Sequence, residues 1–497
     1  MGAKLRITGG AAPYDRGIVD LFQTKPLARI LEESEGHNAL KRSLGPWSLV
    51  ALGIGAVIGA GIFTLTGVAA ASNAGPGLVL SFVFAAIGCS LAGLCYSEFA
   101  TMIPVAGSAY TYAYASFGEL WAWIIGWDLI LEYAVGAATV AIGWSQTLVA
   151  LLATLGGPFP GSVAASPFQG GMGGGLINLP AVAIVMVVSA ILIRGVRESA
   201  MVNSVIVALK VTVILVFIAM GWSYMQPANH SPLIPPNEGA FGKFGWSGIL
   251  AGAGVMFFAY IGFDAVSTAA QEARNPRRDL PAGIFGSLAV CTLLFILYSW
   301  VLTGVVNYRQ LGVAAPLALA LERIPHPWLN VAMNLAVLAG LTSVMLVMLL
   351  GQSRVFYSMA RDGLLPPVFA EVHPTFRTPW RSNLLLMVFV SLFSAFAPIG
   401  VVGKMTSIGT MFAFVIVCGG VIVLRKQNPE AARPFRTPWV PVVPVLGIVV
   451  NLALMFGLGA SNWARLLTWL AIGLAIYFGR RRPRSTVEAC ASTEATP

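Results

Sequence analysis

Charged side chains are scarce in this chain. Asp, Glu, Lys and Arg make up 10% of its 497 residues, where a soluble domain carries about 25%. That scarcity excludes an ordinary water-soluble domain. The 57% hydrophobic share supplies what stands in its place, apolar runs long enough to cross a bilayer. Cysteine is sparse as well. Cys89, Cys95, Cys291, Cys418 and Cys490 have no metal-ligand spacing and four of them fall inside apolar runs, which argues against a disulfide framework or a zinc site. His37, His230, His326 and His373 lie outside those runs without shared spacing. No P-loop is present, so direct ATP drive is not expected. No constellation of nucleophile, acid and base is present either, so the reading is neither an enzyme nor a cofactor protein.

What is there is an all-α polytopic membrane protein. Runs near the roughly 20 residues that a crossing needs give about twelve spans. They lie at 48–71, 78–103, 119–152, 177–193, 201–223, 247–270, 282–306, 328–350, 382–398, 404–424, 440–460 and 463–479. The first long apolar run begins near residue 48, so no cleavable signal peptide is expected. The formal charge of +10 reports topology. With the N-terminus placed in the cytoplasm, only Lys243, Arg309, Arg323, Lys404 and Arg465 fall outside. The clusters Arg274, Arg277, Arg278; Arg354, Arg361, Arg377, Arg381; Arg425, Lys426, Arg433, Arg436; and Arg480, Arg481, Arg482, Arg484 fall inside. This is the positive-inside pattern with both termini cytoplasmic. It points to contact with anionic membrane lipids and not to nucleic acid.

Residues 1–46 read as a cytoplasmic segment with an amphipathic helix on the membrane surface, because Ile18, Leu21, Phe22, Leu27, Ile30 and Leu31 alternate with charges. Residues 47–482 form the membrane domain. Residues 483–497 read as a disordered cytoplasmic tail. Within the membrane domain, repeat one covers about 47–223, repeat two about 247–424, and the helices at 440–479 stand outside both.

The repeats are inferred from two interrupted spans. The first carries GIGAVIGAGIF, Gly53 to Phe63, with Gly53, Gly55, Gly59 and Gly61 in mid-membrane. Each glycine weakens a helix by roughly 1 kcal/mol relative to alanine. Unwound backbone at that depth is tolerated only beside protein or a cavity. The sixth span carries GAGVMFFAYIGFDAVST, residues 252–268. These spans head two sets of five with opposite orientation, and such a pair points to a solute site at the midplane of a transporter. The cluster also admits a plain packing role, since Gly55 and Gly59 form a GxxxG.

Lys210 is the sharpest single residue. It lies in VIVALKVTVIL of the fifth span, roughly 12–14 Å from the inner boundary at 1.5 Å per residue. A charge there costs at least about 2.5–3.5 kcal/mol. Such a lysine is either structurally paired or a carrier that releases and takes back a proton. Glu132 and Asp264 are its acidic counterparts in the third and sixth spans, with Asp128 and Glu98 nearer helix ends. Phe257, Phe258, Tyr260 and Phe263 are candidate solute contacts or packing residues. Met345 and Met348 in the eighth span are candidate pocket walls, and Thr342 and Ser343 are candidates to hydrogen-bond toward the fifth span.

Three segments carry a resemblance: EGHNALKRSLGPWSLVALGIGAVIGAGIFTLTG, GFDAVSTAAQEARNPRRDLPAGI and GQSRVFYSMARDGLLP. Together they resemble the cationic amino acid transporter family of the amino acid–polyamine–organocation superfamily, in its bacterial, twelve-span form. The resemblance implies the leucine-transporter fold, with a five-plus-five inverted repeat and broken first and sixth helices. It implies that amides of Gly59, Ala60 and Gly61 bind a substrate α-carboxylate, and that carbonyls of Phe258, Ala259 and Ile261 bind its α-amino group. Some relatives have a hydroxyl residue where this chain has Ala60. Lys210 would couple transport to protons, bridging Gly55 or Ala56 and Ser343, with Asp264 and Thr342 in support. Glu132, Met345 and Met348 would line the side-chain pocket.

The implied function is a secondary L-amino acid transporter in the bacterial cytoplasmic membrane, a proton symporter working by alternating access. The competing readings are a proton-independent exchanger or uniporter for cationic amino acids and a sensor that moves nothing. Bulky Met345 and Met348 shorten the pocket and favour small neutral substrates, whereas Glu132 suits a cationic one. The residues carry no signature of an accessory membrane subunit.

Overall fold

The computed structural model describes residues 21–27, 30, 44–105, 107–168, 174–195, 200–268, 270, 273–376 and 378–479. Among these residues the chain is helical, and β-structure is confined to isolated bridges such as Leu44 with Ala273. Twelve principal helices follow the expected spans. α1 (Pro46–Val57) breaks and resumes over 61–74. α2 is Leu78–Met102, α3 is Glu119–Thr154, α4 is Leu179–Arg194 and α5 is Ala200–Trp222. α6 (Gly245–Met256) tightens over Phe257–Tyr260 and resumes at Ala265–Thr268. α7 (Pro276–Val305), α8 (Pro327–Arg361), α9 (Trp380–Phe396) and α10 (Ile399–Gln427) complete the second set. α11 (Val442–Gly457) and α12 (Ala460–Gly479) follow, meeting at an angle of 111°.

Seven stretches are long and apolar enough to cross a membrane by themselves. The number is below the expected twelve for local reasons. α4 and α9 have 16 and 17 residues. The second half of α1 runs on into α2 as one stretch, Gly61–Met102. α11 and α12 qualify only as a bent pair.

The packing pattern carries the inverted repeat. α2 packs on α7, α3 on α8 and α4 on α9, which are the pairs that a two-fold relation between the sets maps onto themselves. Further contacts come in mirrored couples: α1 on α7 with α6 on α2, α1 on α5 with α6 on α10, and α5 on α8 with α10 on α3. Each set also has a short connecting helix between its second and third members, Ser108–Phe117 in one and Pro316–Glu322 in the other. Glycine lets these helices approach closely, as membrane packing without a hydrophobic drive requires.

The described part of the N-terminal segment docks on protein. Lys25 bonds Asp362 at 3.0 Å, Tyr110 donates to the other Asp362 oxygen at 2.8 Å, and Leu120 N–H donates to the Leu21 carbonyl at 3.0 Å. Most of the expected surface helix, and the tail 483–497, lie outside the described residues.

At the arginine-rich end, Glu98 of α2 is 3% exposed and receives Arg425 through two bonds of 2.9 and 2.7 Å. Thr437 N–H adds a third bond at 2.7 Å, and Arg433 approaches to 3.4 Å. Removing one partner of a buried pair costs about 3–5 kcal/mol. The lower end applies here, because the Arg425 side chain is 26% exposed. Glu98→Ala is therefore expected to lower the thermal midpoint of the purified protein clearly. A midpoint equal to that of the parent would show that this cluster does not hold the end of the bundle.

Candidate functional site

The two broken helices cross at the centre. α1 ends as a helix at Val57, Ile58 is extended with ψ 99°, and regular winding returns at Gly61 as a π-helical turn through Leu65. Thr66 closes that widened turn, donating to the Gly61 and Ile62 carbonyls at 3.0 and 2.7 Å. α6 breaks at Ile261, ψ 134°, followed by Gly262 at φ 113°. A Cβ on Gly61 would lie 2.4 Å from Ala259 Cα, and one on Gly262 would lie 2.9 Å from the Ala56 carbonyl. The breaks are thus in backbone contact, and only glycine permits it.

A break leaves orphan backbone groups of opposite character on its two sides. The upstream half ends in carbonyls at the negative pole of a helix dipole, and the downstream half begins with N–H groups at a positive pole. Lys210 answers the first. Its side chain is 1% exposed, and Nζ donates to the Gly55 carbonyl at 2.6 Å. The second pole lies at Gly59, Ala60 and Gly61, all buried. N–H groups at a helix start suit a carboxylate.

α8 supplies a stripe that reads out three neighbours at intervals of one turn. Gly340 makes room for the Lys210 stem, whose carbons would lie 3.1 Å from an added Cβ. Val344 packs on Gly59 at 3.3 Å, measured to the same added atom. Met348 packs toward Gly136 of α3, where Sδ would lie 3.3 Å from an added Cβ. Ser343 and Met345 are buried on adjacent parts of α8. Thr342 differs from its expectation. Its hydroxyl donates to Leu338 of its own helix at 2.8 Å, because a threonine inside a helix reaches the carbonyl one turn back. Gly340 and Val344 were missed in sequence. The signal for Gly340 is a glycine in a long, otherwise regular helix.

The acidic residues Glu132 and Asp264 assemble around a further π-helical turn, Ile130–Val135 in α3. Such turns recur at functional sites. It carries Glu132 and Tyr133. Tyr133 donates to Asp264 at 2.8 Å, tying α3 to the residue just beyond the α6 break. The Glu132 carboxyl lies beside Asp264. Of the four aromatic candidates, three are packing residues. Phe257 and Phe263 pack on Phe414, and Tyr260 packs on Phe82 and Phe295. Phe258 has no ring partner among the described residues, and its carbonyl accepts the Ile261 N–H at 3.2 Å. Ala259 and Ile261 are buried with it.

Gly61→Val places a branched side chain against the Ala259 backbone. Overpacking of this kind costs about 1–3 kcal/mol or more. The expected outcome is a lower thermal midpoint together with loss of amino acid binding. Gly59→Val meets only the Val344 side chain, so it is expected to fold but bind poorly. Normal affinity in a monodisperse Gly59→Val protein would place the solute elsewhere.

The model of the family described as amino acid permease matches residues 44–477. The chain is 42% identical over 465 residues to the methylthioribose transporter of Bacillus subtilis, covering 94% of this chain and 98% of that protein. It is 44% identical over 468 residues to the branched-chain amino acid permease BcaP of the same organism, with the same coverage of 94% and 98%. Cationic amino acid transporter 9, chloroplastic, of Arabidopsis thaliana is 36% identical over 91% of this chain and 79% of its own length. With a broken-helix site inside an inverted repeat and these relatives, the chain belongs to the amino acid permease family, multi-pass membrane transporters of the amino acid–polyamine–organocation superfamily.

Proposed function

We propose that this chain is a proton-coupled symporter for a small neutral L-amino acid, working by alternating access in the bacterial cytoplasmic membrane with both termini inside. The observation that carries the proposal is the Lys210 ammonium at the Gly55 carbonyl, 2.6 Å away and inside the bundle. A cation in that position stabilises the broken α1. Loss of its proton would withdraw the charge from the carbonyl pole and loosen the break, so occupancy by a proton and the shape of the solute site are linked. The substrate carboxylate takes the amides of Gly59, Ala60 and Gly61, and the amino group takes the carbonyls of Phe258, Ala259 and Ile261.

The side-chain preference follows from what surrounds the break. Met345 and Met348 are buried, and Met348 closes on Gly136 one turn from Glu132. Two thioether side chains leave room for a short apolar substituent. A relative that carries branched-chain amino acids in its name fits this reading.

Lys210→Ala is expected to abolish amino acid uptake into proteoliposomes under an inward proton gradient, while replacement of external sodium leaves the parent unaffected. A variant whose uptake still responds to the gradient removes Lys210 from coupling.

Met348→Ser is expected to admit longer substrates. Space for extra methylenes is worth roughly 10-fold or more in discrimination, so arginine should gain about that factor in competition against labelled alanine. Met345→Ser serves as the neighbouring control. If neither variant gains, α8 does not limit the pocket.

A further inference from the structure

A cavity of about 470 Å³ opens at the arginine-rich end of the bundle, away from the crossing of α1 and α6. It lies between the end of α2, the start of α7 and the loop that joins α10 to α11. Thr101, Asn275, Arg277, Arg433 and Pro434 line it, and no acidic residue does. Its volume falls within the range of small-molecule sites, about 300–1,000 Å³.

The charge around it is unbalanced. Arg425 and Arg433 both converge on the single carboxylate of Glu98. Arg436 is near enough to Arg433 to repel it. The nearest acid of α7, Asp279, is buried and turned to the Asn275 N–H at 3.0 Å. Arg277 is held at the rim by one bond, from Nε to the Pro434 carbonyl at 3.1 Å. That bond engages Nε and leaves the terminal N–H groups for a further acceptor, and a guanidinium so held can receive a phosphate bidentately. Arg433 also donates to the Leu424, Asn428, Pro429 and Ala431 carbonyls, which hold it in place without neutralising its charge, so the cavity wall stays positive.

The surroundings distinguish a lipid from a soluble anion. The same loop exposes Trp439, 81% accessible, and α11 then turns Val442, Val445 and Leu446 outward. An exposed tryptophan beside an apolar helix start marks the level of the membrane interface. Basic pockets between helices at that level hold acidic headgroups.

We propose that this cavity binds the phosphodiester headgroup of an anionic membrane lipid, with Arg277 as its principal contact and Arg433 as its wall. The lipid would join the ends of α2 and α7 to the α10–α11 loop, and its acyl chains would lie along α11.

The test is native mass spectrometry of the full chain in detergent, with phosphatidylglycerol and phosphatidylcholine of identical acyl chains. The parent is expected to retain phosphatidylglycerol in clear preference. Arg277→Gln is expected to lower that preference about tenfold, since a charged hydrogen bond contributes about 1.5–3 kcal/mol and 1.4 kcal/mol is tenfold. Arg381→Gln removes a charge from the same end but from a pair with Glu371, and is expected to keep the preference. If that variant is not monodisperse, Arg277→Lys, which keeps the charge and loses the bidentate fork, carries the test, with a smaller loss of the same sign. Equal retention of both lipids by the parent, or an unchanged preference in the arginine variant, overturns the proposal. Full displacement of phosphatidylglycerol by inorganic phosphate would overturn the lipid assignment and make the occupant a free anion.

Discussion

The rest of this structure depends on how a helix can be broken in the middle of a membrane. A backbone polar group without a partner in hydrocarbon costs several kcal/mol, on the order of 2–7 for an amide. The chain meets that constraint by bringing two breaks together and closing each with a different device. Gly61 lies against Ala259 and Gly262 against Ala56, so each unwound segment is covered by the other. Thr66 satisfies carbonyls downstream of the first break. Lys210 satisfies the Gly55 carbonyl upstream of it. What remains is a set of buried amides at the start of a half-helix. An anionic group entering there meets a dipole that is already oriented.

The same constraint explains why the site is shared between two repeats. A single broken helix would leave its gap facing lipid or a packed neighbour with its own hydrogen bonds complete. Two related segments in inverted orientation present gaps of opposite polarity to each other, and the mirrored packing of α1 on α7 and α6 on α2 holds them at the crossing. Contacts on α8 then link the break to the periphery. Gly340, Val344 and Met348 touch α5, α1 and α3 in succession, so a shift of α8 acts on Lys210, the amide pole and the pocket wall together. Interfaces built from glycine and small side chains allow such shifts at low cost because few interdigitated contacts must be undone.

The acidic residues divide by depth. Glu98, at a helix end, is a structural anion saturated by two arginines and a backbone amide. Asp264, at the level of the breaks, is bonded instead to Tyr133 of a π-helical turn, with Glu132 of the same turn beside it.

The residue order by itself determined the membrane class, the positions of the spans, the two interrupted helices and the isolation of Lys210, because hydrophobic run length, glycine content and buried charge are local properties. It also carried the family resemblance. Tertiary structure decided what those features touch. That Gly61 serves the crossing with Ala259, that Gly340 makes room for Lys210, that Thr342 turns to its own helix and that Phe257, Phe263 and Tyr260 are packing residues all depend on segments brought together from far apart in the chain. The π-helical turns belong to the same group. Their extra residue costs a regular helix part of its hydrogen bonding, and only neighbours such as Asp264 and Thr66, placed by the fold, make that local loss favourable.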